Sequence, residues 1–145
     1  MKDLIFLIHS GATLFLVGLI WTIQIVHYPL FTSVGVSGYA AYQTSHMSRI
    51  SYVVAPVMLA ELVTAIYFVF AAYDEISPKL FWFGFALVLI IWASTLFVQS
   101  PIHSKLTEAF DADLVSKLVW TNWIRTIIWT IRGALILWMI GLKIK

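Results

Sequence analysis

Four apolar stretches, at about residues 4–30, 50–73, 80–101 and 118–142, decide what this chain can become. Each matches the roughly 20 helical residues needed to cross a hydrocarbon layer about 30 Å thick. Lipid offers no partner for an exposed amide, so each stretch must be helical, and short connections make successive helices antiparallel neighbours. The expected fold is all-α, an integral membrane antiparallel four-helix bundle. It forms one domain over residues 1–145, with helices at about 4–30, 38–73, 80–102 and 113–142. The lipid bilayer is its first partner. Composition agrees, because 61% hydrophobic against 11% charged residues is far from a soluble domain, where about a quarter are charged. The first stretch exceeds a secretory h-region and lacks a small-residue cleavage pattern, so it reads as a retained helix.

The second helix is expected to begin before its apolar stretch. Ser37 offers an N-cap, and Tyr39, Tyr42 or Gln43, His46 and Arg49 recur at helical spacing. Pro56 inside that helix removes a backbone hydrogen bond and should kink it. Asp74-Glu-Ile-Ser-Pro-Lys79 reads as a polar turn, and residues 104–117 have soluble character, with Asp111 or Asp113 capping the last helix. Both termini then share one face with Lys2, Lys79, Lys143 and Lys145, opposite Arg49, Lys105 and Lys117. Counting positive charges favours cytoplasmic termini by a narrow margin.

Without cysteine, any chemistry falls to histidine, carboxylates and aromatics. A net charge of +2 with no basic cluster sets nucleic acid aside as a partner. The polar residues that interrupt the apolar stretches gather at helix ends. The first helix closes on Gln24-Ile-Val-His27-Tyr28-Pro29 and the third on Gln99-Ser-Pro101-Ile-His103. The second carries His46-Met-Ser-Arg49 and the fourth Asn122-Trp-Ile-Arg125. This can be read as two hairpins related by an axis along the membrane normal, or as convergence on similar interface chemistry. An antiparallel bundle brings these motifs to one face, outward with cytoplasmic termini, and the economical expectation is one pocket. His27, His46 and His103 are its candidate cofactor or metal ligands; Gln24, Tyr28, Tyr42, Arg49, Gln99, Asn122 and Arg125 support them. The blander alternative is that each ring is an anchor at the headgroup level.

Imidazoles suit copper, zinc or iron. No Asp or Glu occurs between Leu4 and Ala60 or between Lys79 and Leu106, and two arginines would repel a bare divalent ion. The same arginines favour an anionic group through charge-assisted hydrogen bonds. Haem held by histidine, with Arg49 and Arg125 near its propionates, meets both conditions and is the first expectation. Copper is second, ahead of zinc or calcium.

A second cluster is expected deeper in the bundle, where His9, Glu61 and Arg132 reach similar depth. Ionisable residues in a span face the interior with a partner. A Glu61–Arg132 pair that fixes helix packing is taken ahead of a proton relay, because no further acidic residue continues a path. The seven tryptophans are spread as anchors and packing residues. No lysine lies well inside a span, which argues against a retinal-type Schiff base.

Gly18 to Leu30 with its Pro29, Pro56, Phe97-Val-Gln-Ser-Pro-Ile-His103 and Thr121-Asn-Trp-Ile-Arg-Thr126 together resemble the anthrone-oxygenase-like family of small four-helix membrane proteins, also called DUF1772. Family members tend to have asparagine where this chain has His103. The resemblance implies an oxygenase-like or otherwise oxidative role on a hydrophobic substrate. The functional expectation is thus a membrane-embedded redox protein binding a hydrophobic or anionic small molecule, either as a monomer or as an oligomer. A small proton-coupled transporter or channel for an anionic solute is the alternative, followed by a non-catalytic assembly subunit.

Overall fold

The computed structural model describes residues 1–71, 73 and 75–144. Among them there is no strand, and four helical runs are long and apolar enough to cross a membrane: Lys2–Ser33, Val36–Phe70, Pro78–Leu106 and Ala112–Ile144. The first run comprises α1 (Lys2–Thr22), a π-helical turn (Ile23–His27) and a 3₁₀ turn (Pro29–Ser33). The second is a 3₁₀ turn (Val36–Gly38) leading into α2 (Tyr39–Phe70), which continues through Pro56. The third is α3 (Pro78–Ser94), a second π-helical turn (Thr95–Gln99) and α4 (Ser100–Leu106); the fourth is α5 (Ala112–Ile144).

The two π turns share a cause. Proline lacks an N–H and its ring presses on the carbonyl four residues back. Widening the preceding turn relieves that pressure and leaves an i→i−5 hydrogen bond. Just before Pro29, the Tyr28 N–H reaches the Ile23 carbonyl at 3.0 Å. Just before Pro101, the Ser100 N–H reaches the Thr95 carbonyl. The extra residue in each turn re-aims the glutamine and histidine around it.

Two terminus expectations resolve differently. Asp111 caps α5, its Oδ1 accepting the Leu114 N–H at 2.9 Å. Ser37 does not cap α2: the 3₁₀ turn absorbs it, and Gly38 stands at the N-cap without a side-chain bond. The turn expected from Asp74 is held at its described residues. Tyr73 donates to Asp3 Oδ1 at 3.0 Å, and Ile76 is fully buried among Phe6, Phe68 and Phe81. Asp74 itself and Lys145, counted above for orientation, lie outside the described residues. Lys143 donates to the same Asp3 carboxylate, which ties the two ends of the chain together.

α1 packs on α2 and α5, and α3 packs on the same two helices, so the runs stand at the corners of a square. α1 and α5 approach closely at Gly133, where an added Cβ would lie 3.0 Å from Val17 Cγ2. Contacts between α1 and α2 run in reverse order along the chain, from His27–His46 through Thr13–Glu61 to His9–Thr64. Burial is inverted relative to a water-soluble domain. Leu7, Phe15, Trp82, Phe97, Ile131 and Leu137 face outward, while Gln24, Gln43, Glu61, Gln99, Asn122, Arg125 and Arg132 are buried. Two apolar clusters fill the interior, one around Leu16, Ile20, Met58, Ile91 and Trp129, the other around Phe6, Phe68, Phe81 and Met139.

Candidate functional site

The inner cluster draws on all four runs. Arg132 on α5 donates through Nε to Glu61 Oε1 at 2.9 Å, through Nη1 to the Gly84 carbonyl of α3 at 2.5 Å, and through Nη2 to Thr13 Oγ1 of α1 at 3.2 Å. Glu61 also accepts from Thr13 at 2.8 Å and from Trp129 Nε1 at 3.1 Å. Gly84 leaves room for the guanidinium at its carbonyl, since a Cβ there would stand 3.3 Å from Nη1. Proton bookkeeping fixes the His9 tautomer. The single Thr64 hydroxyl hydrogen goes to the Ala60 carbonyl at 2.6 Å, so at 2.8 Å the hydroxyl accepts from His9 Nδ1–H. The bare Nε2 then faces Arg132 Nη2 at 3.4 Å. Both ions are only 1% exposed and each is neutralised by the other, so the cluster is a complete network.

The residues expected at the opposite helix ends divide into an interior group and a flank. On α5, Asn122 Oδ1 accepts from Arg125 Nε at 3.0 Å and Nη2 at 2.5 Å, while Asn122 Nδ2 donates to Gln24 Oε1 at 2.8 Å. Both glutamines lean on backbone near the start of α5: Gln24 Nε2 donates to the Val119 carbonyl at 3.1 Å, and Gln99 Nε2 to the Thr121 carbonyl at 3.3 Å. Arg125 continues through Nη1 to Thr95 Oγ1 at 3.4 Å and through Nη2 to the Tyr28 hydroxyl at 3.2 Å. Tyr28 meets His103 Nε2 at 2.9 Å, and His103 Nδ1 meets Gln43 Nε2 at 2.7 Å.

With the Gln43 amide so oriented, its N–H donates to His103 Nδ1, which places the imidazole hydrogen on Nε2. In that tautomer the Tyr28 oxygen accepts from both His103 and Arg125 and its own hydroxyl hydrogen is left for a third group, while Gln43 Oε1 is buried without a partner. Arg125 differs from Arg132 in one respect. It is 6% exposed, yet its partners Asn122, Thr95 and Tyr28 are all neutral. Among the described residues the ion pairs are Glu61–Arg132 and Asp3–Lys143.

Arg125, Tyr28 and His103 line a cavity of about 160 Å³ together with Gln99, Thr95, Ser51, Leu16, Ile20, Val54, Met58 and Trp129. Its walls are mostly apolar and its polar atoms lie at one end. Trp129 lines it and also donates to Glu61, so one ring separates cavity from inner cluster.

The flank holds the other residues. His27 Nε2 and His46 Nδ1 lie 3.0 Å apart and share one hydrogen. Tyr42 stacks on His46 at 6.5 Å with a 12° interplanar angle. Arg49 is exposed and touches Ser45 at 3.3 Å, beside an open groove with His27 and His46. Arg49 and Arg125 therefore do not meet at one ligand. The three imidazoles do lie side by side, with ring centroids 4.7 Å apart for His27 and His46 and 5.7 Å for His46 and His103, and His46 Nε2 is buried without a partner. His27 and His46 each spend a nitrogen on the other, and both nitrogens of His103 are engaged. Among the described residues no group of three His, Cys, Asp or Glu side chains could hold a metal ion.

Gln43 was read only as an alternative to Tyr42 on the face of α2, and Thr95 and Thr126 were not picked as site residues. Gln43 lies three residues before His46 on the buried side of α2, so choosing it over Tyr42 needed only the rotation of that helix. Comparison of the chain with family models, with curated proteins and with solved structures gives no match in any of the three.

Proposed function

We propose that this chain is an integral membrane antiparallel four-helix bundle that binds a hydrophobic small molecule through an anionic group. The inverted burial supports insertion in lipid, and the reversed order of α1–α2 contacts supports the antiparallel arrangement. The observation that carries the binding is Arg125, a buried cation with neutral partners at the polar end of an apolar cavity. Buried charges in a membrane protein are paired or mark a ligand path. A carboxylate or similar anion in the cavity would pair with the guanidinium, accept the Tyr28 hydroxyl hydrogen and place His103 one hydrogen bond behind, where it can hold or exchange a proton. That is a setting for acid–base work on a hydrophobic substrate. His103 and Tyr28 are the residues to examine for it.

Haem and copper do not fit this arrangement. A volume of about 160 Å³ is below the roughly 300–1,000 Å³ of drug-sized ligand sites and too small for haem, and for copper both nitrogens of His103 and one each of His27 and His46 are already held by Tyr28, Gln43 and one another, which leaves His46 Nε2 as the buried nitrogen without a partner. No step is therefore assigned to either. We also place the termini on the cytoplasmic side and the cavity toward the outer face, on the distribution of lysine and arginine.

Calorimetric titration of the purified protein with octanoate and with octanol tests the binding. Octanoate should bind and octanol should bind at least tenfold more weakly. Equal affinities would refute the reading. An absorption spectrum of the same sample should lack a Soret band, and a stoichiometric one removed by single changes at His27, His46 and His103 would restore haem.

A further inference from the structure

Resting on the binding role just given to Arg125, we propose that the ligand is a single-chain aliphatic carboxylate that enters sideways from the outer leaflet, between α2 and α4. The cavity's polarity runs in one direction along the first run and α5. On the first run it passes from Tyr28 to Leu16 and on α5 from Arg125 to Trp129, with Gln99 and His103 of the third run at the polar end and an α2 wall that is apolar apart from Ser51. In the antiparallel bundle these sequences point the same way, from the level where the apolar stretches of α2 and α5 begin toward mid-membrane. Such a gradient matches one leaflet, whose amphiphiles carry the polar group at the interface and the chain below it.

The mouth is located by exposure. Among the lining residues, Ser51 and Ala55 on α2 and Ser100 on α4 are exposed, whereas those of α1 and α5 are buried or half-buried. All three are small, so the wall is thin there. The opening lies on the flank of the bundle, against lipid. Volume selects the occupant. At about 30 Å³ for each water-sized group, 160 Å³ takes a carboxylate and the first few methylenes. The rest of a single chain leaves through the mouth, and a two-chain phosphate head is too large. One guanidinium and one hydroxyl are also the complement of a carboxylate, which accepts two parallel hydrogen bonds.

A diazirine-bearing palmitate in vesicles of neutral phospholipid provides the test. Photolabelling should fall on residues 16–23 and 51–58, unlabelled palmitate should compete, and hexadecanol should compete at least tenfold less well. Ala55→Trp, at an exposed position that closes the mouth without touching Arg125, should cut labelling at least tenfold while helix content and melting temperature stay those of the wild type. Labelling unaffected by Ala55→Trp, or displaced equally by hexadecanol, would overturn the proposal. If octanoate binds with the expected preference while palmitate does not label the cavity, the lateral route fails and the binding role stands; if neither occurs, both fail.

Discussion

Two arginines on one face of α5, seven residues apart, are treated in opposite ways by their surroundings. Arg132 has Glu61, Thr13 and the Gly84 carbonyl, and nothing about it asks for a ligand. Removing one partner of such a pair leaves an uncompensated buried charge, which costs about 3–5 kcal/mol. Glu61→Gln should therefore lower thermal stability in detergent by that order while octanoate affinity per folded molecule changes little. Unchanged stability with lost binding would make Glu61 part of a working path. Gly84→Ala tests the same packing more gently. Its methyl would press on Arg132 Nη1 and Leu135 Cδ2, and overpacking of this kind costs about 1–3 kcal/mol; an unchanged melting temperature would show that the guanidinium moves freely. The depth match of His9, Glu61 and Arg132 was legible in the sequence, because three ionisable residues at one level in apolar helices have few other places to go. The neutrality of Arg125's surroundings was not, because it depends on Arg49 facing outward, a rotation that four closely spaced polar residues on α2 leave open.

At the scale of elements, the apolar stretches announced the four runs, and Pro29 and Pro101 announced where the first and third change character. The π turns themselves were not legible, since proline can equally end a helix, kink it or widen the turn before it. They matter because one extra residue in a turn rotates the side chains beyond it by about 100°. Gln24 and Gln99 within the turns both reach the start of α5, while His27 lies on the flank and His103 at the cavity with His46 between them. Pro101→Ala allows the turn to close to ordinary α-helix. Circular dichroism should then show undiminished helix, while octanoate affinity falls at least tenfold as His103 and Gln99 turn away. Retained affinity would mean that the π turn does not position the site. Ser37 failed as a cap for a local reason: the chain continues from the 3₁₀ turn directly into α2, so no orphan N–H is presented to its hydroxyl.

For the whole molecule, the account requires a bundle that is polar at its centre and apolar outside, with both ends of the chain together. The absence of cysteine makes single-cysteine labelling clean. Cysteines replacing Lys2 and Lys79 should react from one side of a sealed vesicle, and those replacing Ser37 and Lys105 from the other; mixed sidedness within either pair would break the topology. Whether Arg125 is a cation kept for an anionic ligand is measured directly by octanoate affinity in wild type, Arg125→Lys and Arg125→Gln. A charge-assisted hydrogen bond contributes about 1.5–3 kcal/mol. Arg125→Gln should therefore weaken octanoate by about tenfold to a hundredfold and leave octanol unchanged, with Arg125→Lys between the two. Equal octanoate affinity in wild type and in a folded Arg125→Gln protein would contradict the account.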